Sequence, residues 1–140
     1  MNIGDKGYGA YYVGTSKTDS TLNVTGNMTL GKEAVGVYAK NTTVNYNGDI
    51  TVGDNGVAIY SKRKSTGPST VTSTGNITVG NNDSTGIFLE NGGNLNLTAG
   101  NLNVGNNSYG VVAIGNDSFN YTNNAAVNVS LGEGSTYFYS

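Results

Sequence analysis

The chain has no cysteine, no histidine, no tryptophan and one proline, and only 11% of its 140 residues are charged. Without cysteine, neither a disulfide framework nor a thiolate metal site can form. Without histidine as well, catalysis that needs an imidazole or a thiol is excluded. Proline is too rare, and glycine too irregularly spaced, for collagen. Ala, Leu, Glu and Lys are too scarce for a helical bundle. The net charge of −2 is too small to imply nucleic acid or an anionic membrane as partner. No apolar run approaches the roughly 18 residues of a membrane-spanning helix. The start, Met1-Asn2-Ile3-Gly4-Asp5, shows no basic region followed by an apolar one, so no signal peptide is visible.

Glycine and asparagine are abundant instead, at 22 residues each. These two residues enter left-handed turn geometry most readily. Their positions are ordered. An apolar-polar-apolar triplet followed by Gly occurs six times, ending at Gly4, Gly31, Gly53, Gly80, Gly105 and Gly132. The steps between these glycines are 27, 22, 27, 25 and 27 residues. One supersecondary unit is therefore copied along the chain.

Each copy carries three short strand signals with period-two alternation, filled by β-branched and aromatic residues. The first is the triplet, as in Ile77-Thr78-Val79. The second follows a few residues later, as in Gly36-Val37-Tyr38-Ala39 and Gly86-Ile87-Phe88-Leu89. The third is exemplified by Leu22-Asn23-Val24 and Leu95-Asn96-Leu97. Gly-Asn between strands would suit a hairpin, but a hairpin stack repeats every two strands and this pattern repeats every three. Three strands and three corners make one turn of a three-sided coil. The expected fold is all-β: a right-handed parallel β-helix of about five to six turns of roughly 25 residues each. The hand follows from the rule for parallel crossovers, and turns stacked about 4.8 Å apart give a rod some 29 Å tall.

Alternation assigns the inward faces. Face one contributes Met28, Leu30, Ile50, Val52, Ile77, Val79, Leu102, Val104, Val129 and Leu131. Face two contributes Val35, Val37, Ala39, Val57, Ile59, Ile87, Leu89, Val111 and Ala113, with Ala10 and Tyr12 in the first turn. Face three contributes Leu22, Val24, Val44, Tyr46, Val71, Leu95, Leu97, Phe119 and Tyr121, while Ser73 breaks the pattern and is placed near a corner. Residues 1–140 are read as one β-helix segment. Neither end shows a polar capping segment, so the expectation is a piece of a longer rod.

The phrases Gly75-Asn76-Ile77-Thr78-Val79-Gly80, Thr85-Gly86-Ile87-Phe88-Leu89-Glu90 and Ala34-Val35-Gly36-Val37-Tyr38-Ala39 resemble passenger domains of bacterial autotransporters. Within that group the likeness is to the large fusobacterial surface adhesins of the type V secretion system. The likeness runs along essentially the whole chain and departs most in the first and last turns. The resemblance implies export through an outer-membrane barrel absent from this chain. It also implies display at the cell surface, adhesion to other bacteria or host cells, and flanking β-helix turns in the parent chain.

The candidate binding residues follow from alternation. On face two, Tyr11, Tyr38, Phe88 and Tyr139 point outward and align, with Ala58 and Val112 interrupting; Tyr60 and Ile114 lie two residues further along. Such a column is either a ladder that stiffens the rod or a platform for glycans or for an apolar patch of a protein partner. Asn23, Asn45, Asn96 and Asn120, with Thr72, form an outward column on face three that reads as a structural ladder. The run Lys62-Arg63-Lys64, next to Gly67 and Pro68, reads as a projecting loop. Such a loop could meet an acidic partner with salt-dependent strength.

The acids are scattered singly, unlike the clustered carboxylates of β-helix polysaccharide enzymes. No residue pattern calls for a cofactor or a metal, and the chain is expected not to be an enzyme. Three functions are thus set against one another. The first is a surface adhesin segment that binds glycans or proteins. The second is a spacer within such a rod. The third and weakest is a carbohydrate-active fragment of tailspike type.

Overall fold

The computed structural model describes residues 1–15, 19–63, 70–115, 118–124 and 126–140. Among them are seventeen strands and no helix. The strands form three sheets, and every pairing is parallel. The first sheet stacks β1 (Asn2–Ile3), β4 (Met28–Leu30), β7 (Ile50–Thr51), β10 (Ile77–Val79), β13 (Asn101–Val104) and β16 (Asn128–Leu131). The second stacks β2 (Tyr8–Val13), β5 (Val35–Lys40), β8 (Val57–Lys62), β11 (Thr85–Glu90), β14 (Tyr109–Ile114) and β17 (Thr136–Tyr139). The third stacks β3 (Thr21–Thr25), β6 (Thr43–Asn47), β9 (Thr70–Thr74), β12 (Gly93–Ala99) and β15 (Phe119–Asn123). Each sheet takes every third strand. This is the parallel β-helix expected from the repeat, with about five turns of about 26 residues.

The core is the column of inward residues. Ile50, Ile59, Ile87, Leu89, Leu95, Val37, Val44, Val71 and Val111 are wholly buried. Toward the two ends the same inward positions open to solvent: Tyr12 is 37% exposed and Leu131 50%. Tyr12 stands at the register of the buried Ala39.

Face two departs from simple alternation. Val35 and Val57 are only half-buried, while Ala34, Gly36, Ala58 and Gly56 are buried. Both Gly36 and its successor Val37 face inward, so the phase shifts by one residue as the strand leaves the corner. Only a very small residue fits at the shift. A Cβ on Gly36 would lie 2.5 Å from the Ala58 carbonyl oxygen and 3.4 Å from Leu30 Cδ1.

Ser73 does not sit at a corner. It is 1% exposed and paired in register with Tyr46 below and Leu97 above. The large Tyr46 ring beside the small serine keeps the layer filled, and the Tyr46 hydroxyl donates to the Gly26 carbonyl. Phe119 pairs with Gly93 by the same rule of large over small.

Two further repeats hold the corners, and both escaped the sequence reading. The residue two places after each triplet glycine adopts positive φ: Lys6 (61°), Glu33 (57°), Asn55 (57°), Asn82 (58°), Asn107 (55°) and Gly134 (68°). The other repeat is a ladder of Asx side chains. Asn27, Asp49 and Asn76 each accept the N–H of the residue one turn on, at 2.9, 2.8 and 2.8 Å. After the triplet glycine, Asp5, Asp54, Asn81 and Asn106 accept likewise from Lys32, Asn81, Asn106 and Glu133 at 2.9, 3.3, 2.8 and 2.9 Å. Lys32, which has no acceptor, interrupts this second ladder. The signal was present as Asn or Asp directly after Gly, and the scattered acids at these places are structural.

Candidate functional site

The outward residues of the second sheet form three columns. In the middle one, Tyr11 pairs with Tyr38, Tyr38 with Tyr60, Tyr60 with Phe88, Phe88 with Val112 and Val112 with Tyr139. Tyr60 thus belongs to the column rather than two residues beyond it, and Ala58 does not interrupt it but lies in the core. The glycines mislead here: Gly56 is the counterpart of Ala34, not of Gly36, because Val57 pairs with Val35. Ile114 does stand one column further, paired with Glu90.

Four rings stack without a break. The centroid distances are 4.7 Å for Tyr11–Tyr38, 5.2 Å for Tyr38–Tyr60 and 4.7 Å for Tyr60–Phe88, with interplanar angles of 10°, 21° and 7°. Tyr8 meets the lower rings edge-on. Beyond Val112, Tyr139 meets Tyr109 edge-on at 5.9 Å. The ring faces of the stack look along the rod axis at one another, so its interior rings offer edges to solvent. A sugar that packs on an aromatic ring needs an open face.

Beside the stack runs the column Val13, Lys40, Lys62, Glu90 and Ile114. Tyr60 donates its hydroxyl to Glu90 Oε2 at 2.5 Å, and Lys62 Nζ lies 3.6 Å from Glu90 Oε1. Burial, and then the hydrogen bond and charge of Glu90, hold the Tyr60 hydroxyl well above the ordinary phenol range. Burial and the neighbouring Tyr11 push Tyr38 up as well, with Lys62 opposing. Lys62 is therefore engaged by Glu90 on the rod wall. Arg63 is half-buried, and its backbone N–H donates to the Glu90 carbonyl. Lys64, Gly67 and Pro68 lie outside the described residues.

The third sheet has a different outer wall. Its first outward column runs Thr21, Thr43, Thr70, Asn94, Asn120, and its second Asn23, Asn45, Thr72, Asn96, Thr122. Asn120 thus stands one column away from Asn96, and Thr122 takes the expected place. The cause is that β12 begins at Gly93, which carries Phe119 above it. A third column holds Thr25, Asn47 and Thr74 and passes, after a register shift, to Ala99. Apart from that alanine, every one of these side chains is threonine or asparagine. Asn45 donates to Asn23 Oδ1 at 3.0 Å, and Asn120 to Asn94 Oδ1 at 3.1 Å. A groove of about 370 Å³ crosses three turns of this wall, lined by Asn23, Thr25, Asn45, Tyr46, Asn47, Thr72 and Thr74.

Among the described residues, no group of three or more acids is placed to hold a metal, and no helix is long and apolar enough to cross a membrane. No protein-family model, curated protein or solved structure matches the chain.

Proposed function

We propose that the chain is a rod-building segment of a bacterial cell-surface adhesin of autotransporter type, displayed outside the cell and contacting host or bacterial surfaces through its side walls. The observation that carries this reading is the constancy of the three parallel ladders. Each wall shows a regular column of side chains over some five turns, the geometry of an extended display surface. The sequence likeness to passenger repeats supports the surface location and the anchoring barrel. Beads coated with the purified chain should adhere to epithelial or bacterial cells, and the soluble chain should compete. Adhesion no better than that of uncoated beads would defeat the reading.

One observation favours the spacer alternative for the second sheet. Its rings are stacked on each other, an arrangement that stiffens a rod and leaves little ring face for a ligand. In that case Tyr38→Ala lowers the melting temperature and leaves adhesion intact.

A further inference from the structure

We propose that the outer wall of the third sheet binds an extended, uncharged polysaccharide laid along the rod axis, with about one sugar unit to each turn. The inference rests on the adhesion reading and names the ligand class and the wall that takes it.

The chemistry of the wall selects the ligand. The groove across β3, β6 and β9 is floored by the rim of the otherwise buried Tyr46 and flanked by Asn23, Asn45, Asn47, Thr25, Thr72 and Thr74. No charged side chain lines it. An anionic glycan, a nucleic acid or an acidic peptide would be desolvated there without a counter-charge, at a net cost. A hydroxyl-rich neutral chain meets no such cost. Amides and hydroxyls both donate and accept, as sugar hydroxyls do.

The amide ladder uses only part of this capacity. Asn45 spends one donor on Asn23, and Thr74 bonds Thr98 at 2.6 Å. The side chains of Thr25, Asn47 and Thr72 make no hydrogen bond within the described residues. A row of outward polar groups therefore stands ready at each turn.

Periodicity selects the shape. Turns repeat about every 4.8 Å along the axis, and an extended chain of pyranose units advances by a similar step. Successive sugars then meet successive turns in equivalent ways, and threonine, stiff at χ1, holds its hydroxyl in place beforehand. The other two walls offer less. The first sheet shows one outward polar residue on each of β1, β4, β7 and β10 and two only on β13 and β16, and the second shows ring edges beside a Lys62–Glu90 pair.

The test is binding of the intact chain to neutral gluco-, manno- and galacto-oligosaccharides, from disaccharide to hexasaccharide, by microscale thermophoresis. Polygalacturonate serves as the acidic comparison. Affinity should climb with each added unit, up to the five that the sheet's five strands can seat, in at least one neutral series, and polygalacturonate should not compete. The double substitution of the exposed Asn45 and the half-buried Thr72, Asn45→Ala with Thr72→Ala, should weaken binding roughly tenfold or more, with the circular dichroism spectrum unchanged. Tyr38→Ala on the second sheet should bind as the parent does. Failure of every neutral series to bind, no dependence on length, or full binding by the double variant would overturn the assignment. A cell-adhesion assay run in parallel separates the two levels. Cells held equally well by parent and double variant would sink this site while adhesion stands. Oligosaccharide binding without any cell adhesion would keep the site and sink the adhesion reading.

Discussion

At the scale of single residues, the core holds among the described residues one polar side-chain group with nothing to bond: Ser73 Oγ is buried and has no partner. Replacing a buried, unsatisfied hydroxyl by hydrogen, as serine to alanine does, removes a desolvation penalty of about 1 kcal/mol or more. Ser73→Ala should therefore raise the urea midpoint by an amount equivalent to roughly 1 kcal/mol. A lowered midpoint would mean that the hydroxyl is satisfied in solution. Glu33 is a second flaw, this one on the surface, holding a φ of 57° at a place where later turns use asparagine. Its exposed contact with Lys6, at 3.7 Å, is of the kind that adds little. Glu33→Asn should stabilise by about 0.5–1 kcal/mol, read from the same urea curves. Tyr46 supplies a pH dependence. Burial, with a smaller contribution from the Asp49 charge, pushes its hydroxyl up to about 12 from the usual 10. The unfolded chain then loses this proton first as pH rises, so the stabilising contribution is complete below pH 10 and disappears as pH climbs through 12. Stability should be flat across neutral pH and fall above pH 10, and Tyr46→Phe should flatten part of that fall.

At the scale of elements, the corner before each triplet strand is where turns come closest. Gly26, Gly48, Gly75 and Gly100 all have positive φ there. A Cβ on Gly75 would drive into the Gly48 carbonyl, whereas a Cβ on Gly26, at the lower end, meets nothing within 4 Å. Gly26→Ala should cost only the backbone strain, about 1–3 kcal/mol. Gly75→Ala should add about 1–3 kcal/mol of overpacking, and the two urea midpoints measure the difference. Equal costs would show that the turns can part freely at this corner. The same corners mark the limit of what could be read from the residues alone. The triplets, the three-strand period and the inward residues were legible, because alternation and a following glycine are local signals. The register between turns was less so. Gly36 and Gly56 look alike in sequence, yet one lies within its strand and the other before it, and aligning them displaced Tyr60. Similarly, Leu95-Asn96-Leu97 looks equivalent to Phe119-Asn120-Tyr121, but the bulk of Phe119 places it over Gly93. Packing between turns decided these cases. The Asx ladders were missed for a related reason: asparagine and aspartate alternate in them, and only the shared acceptor oxygen unites them.

At the scale of the whole molecule, nearly every contact joins a turn to the one above or below. The long pairings run β2–β5–β8–β11–β14–β17 and β3–β6–β9–β12–β15, so each turn is stabilised from two sides except at the ends. A solenoid built this way behaves as a one-dimensional chain of coupled units, and opening begins where a unit has one neighbour. Burial follows the same gradient. Val37, Ile59, Ile87 and Val111 in the middle are wholly covered, whereas Tyr12, Leu131 and Phe138 toward the ends are 37%, 50% and 38% exposed. Low charge fits the stack too, since like charges repeated on every turn would face one another about 4.8 Å apart. Native-state hydrogen exchange on this chain should therefore show a graded profile. Amides of β5, β8 and β11 should exchange slowest, at a free energy close to that of global unfolding. Those of β1, β2, β16 and β17 should exchange fastest, through fraying. Substituting Ser73→Ala should slow the central amides more than the terminal ones, because it strengthens a middle layer. Uniform protection from end to end would instead mean that the rod opens only as a single unit, and that coupling between turns exceeds what each turn's own burial suggests.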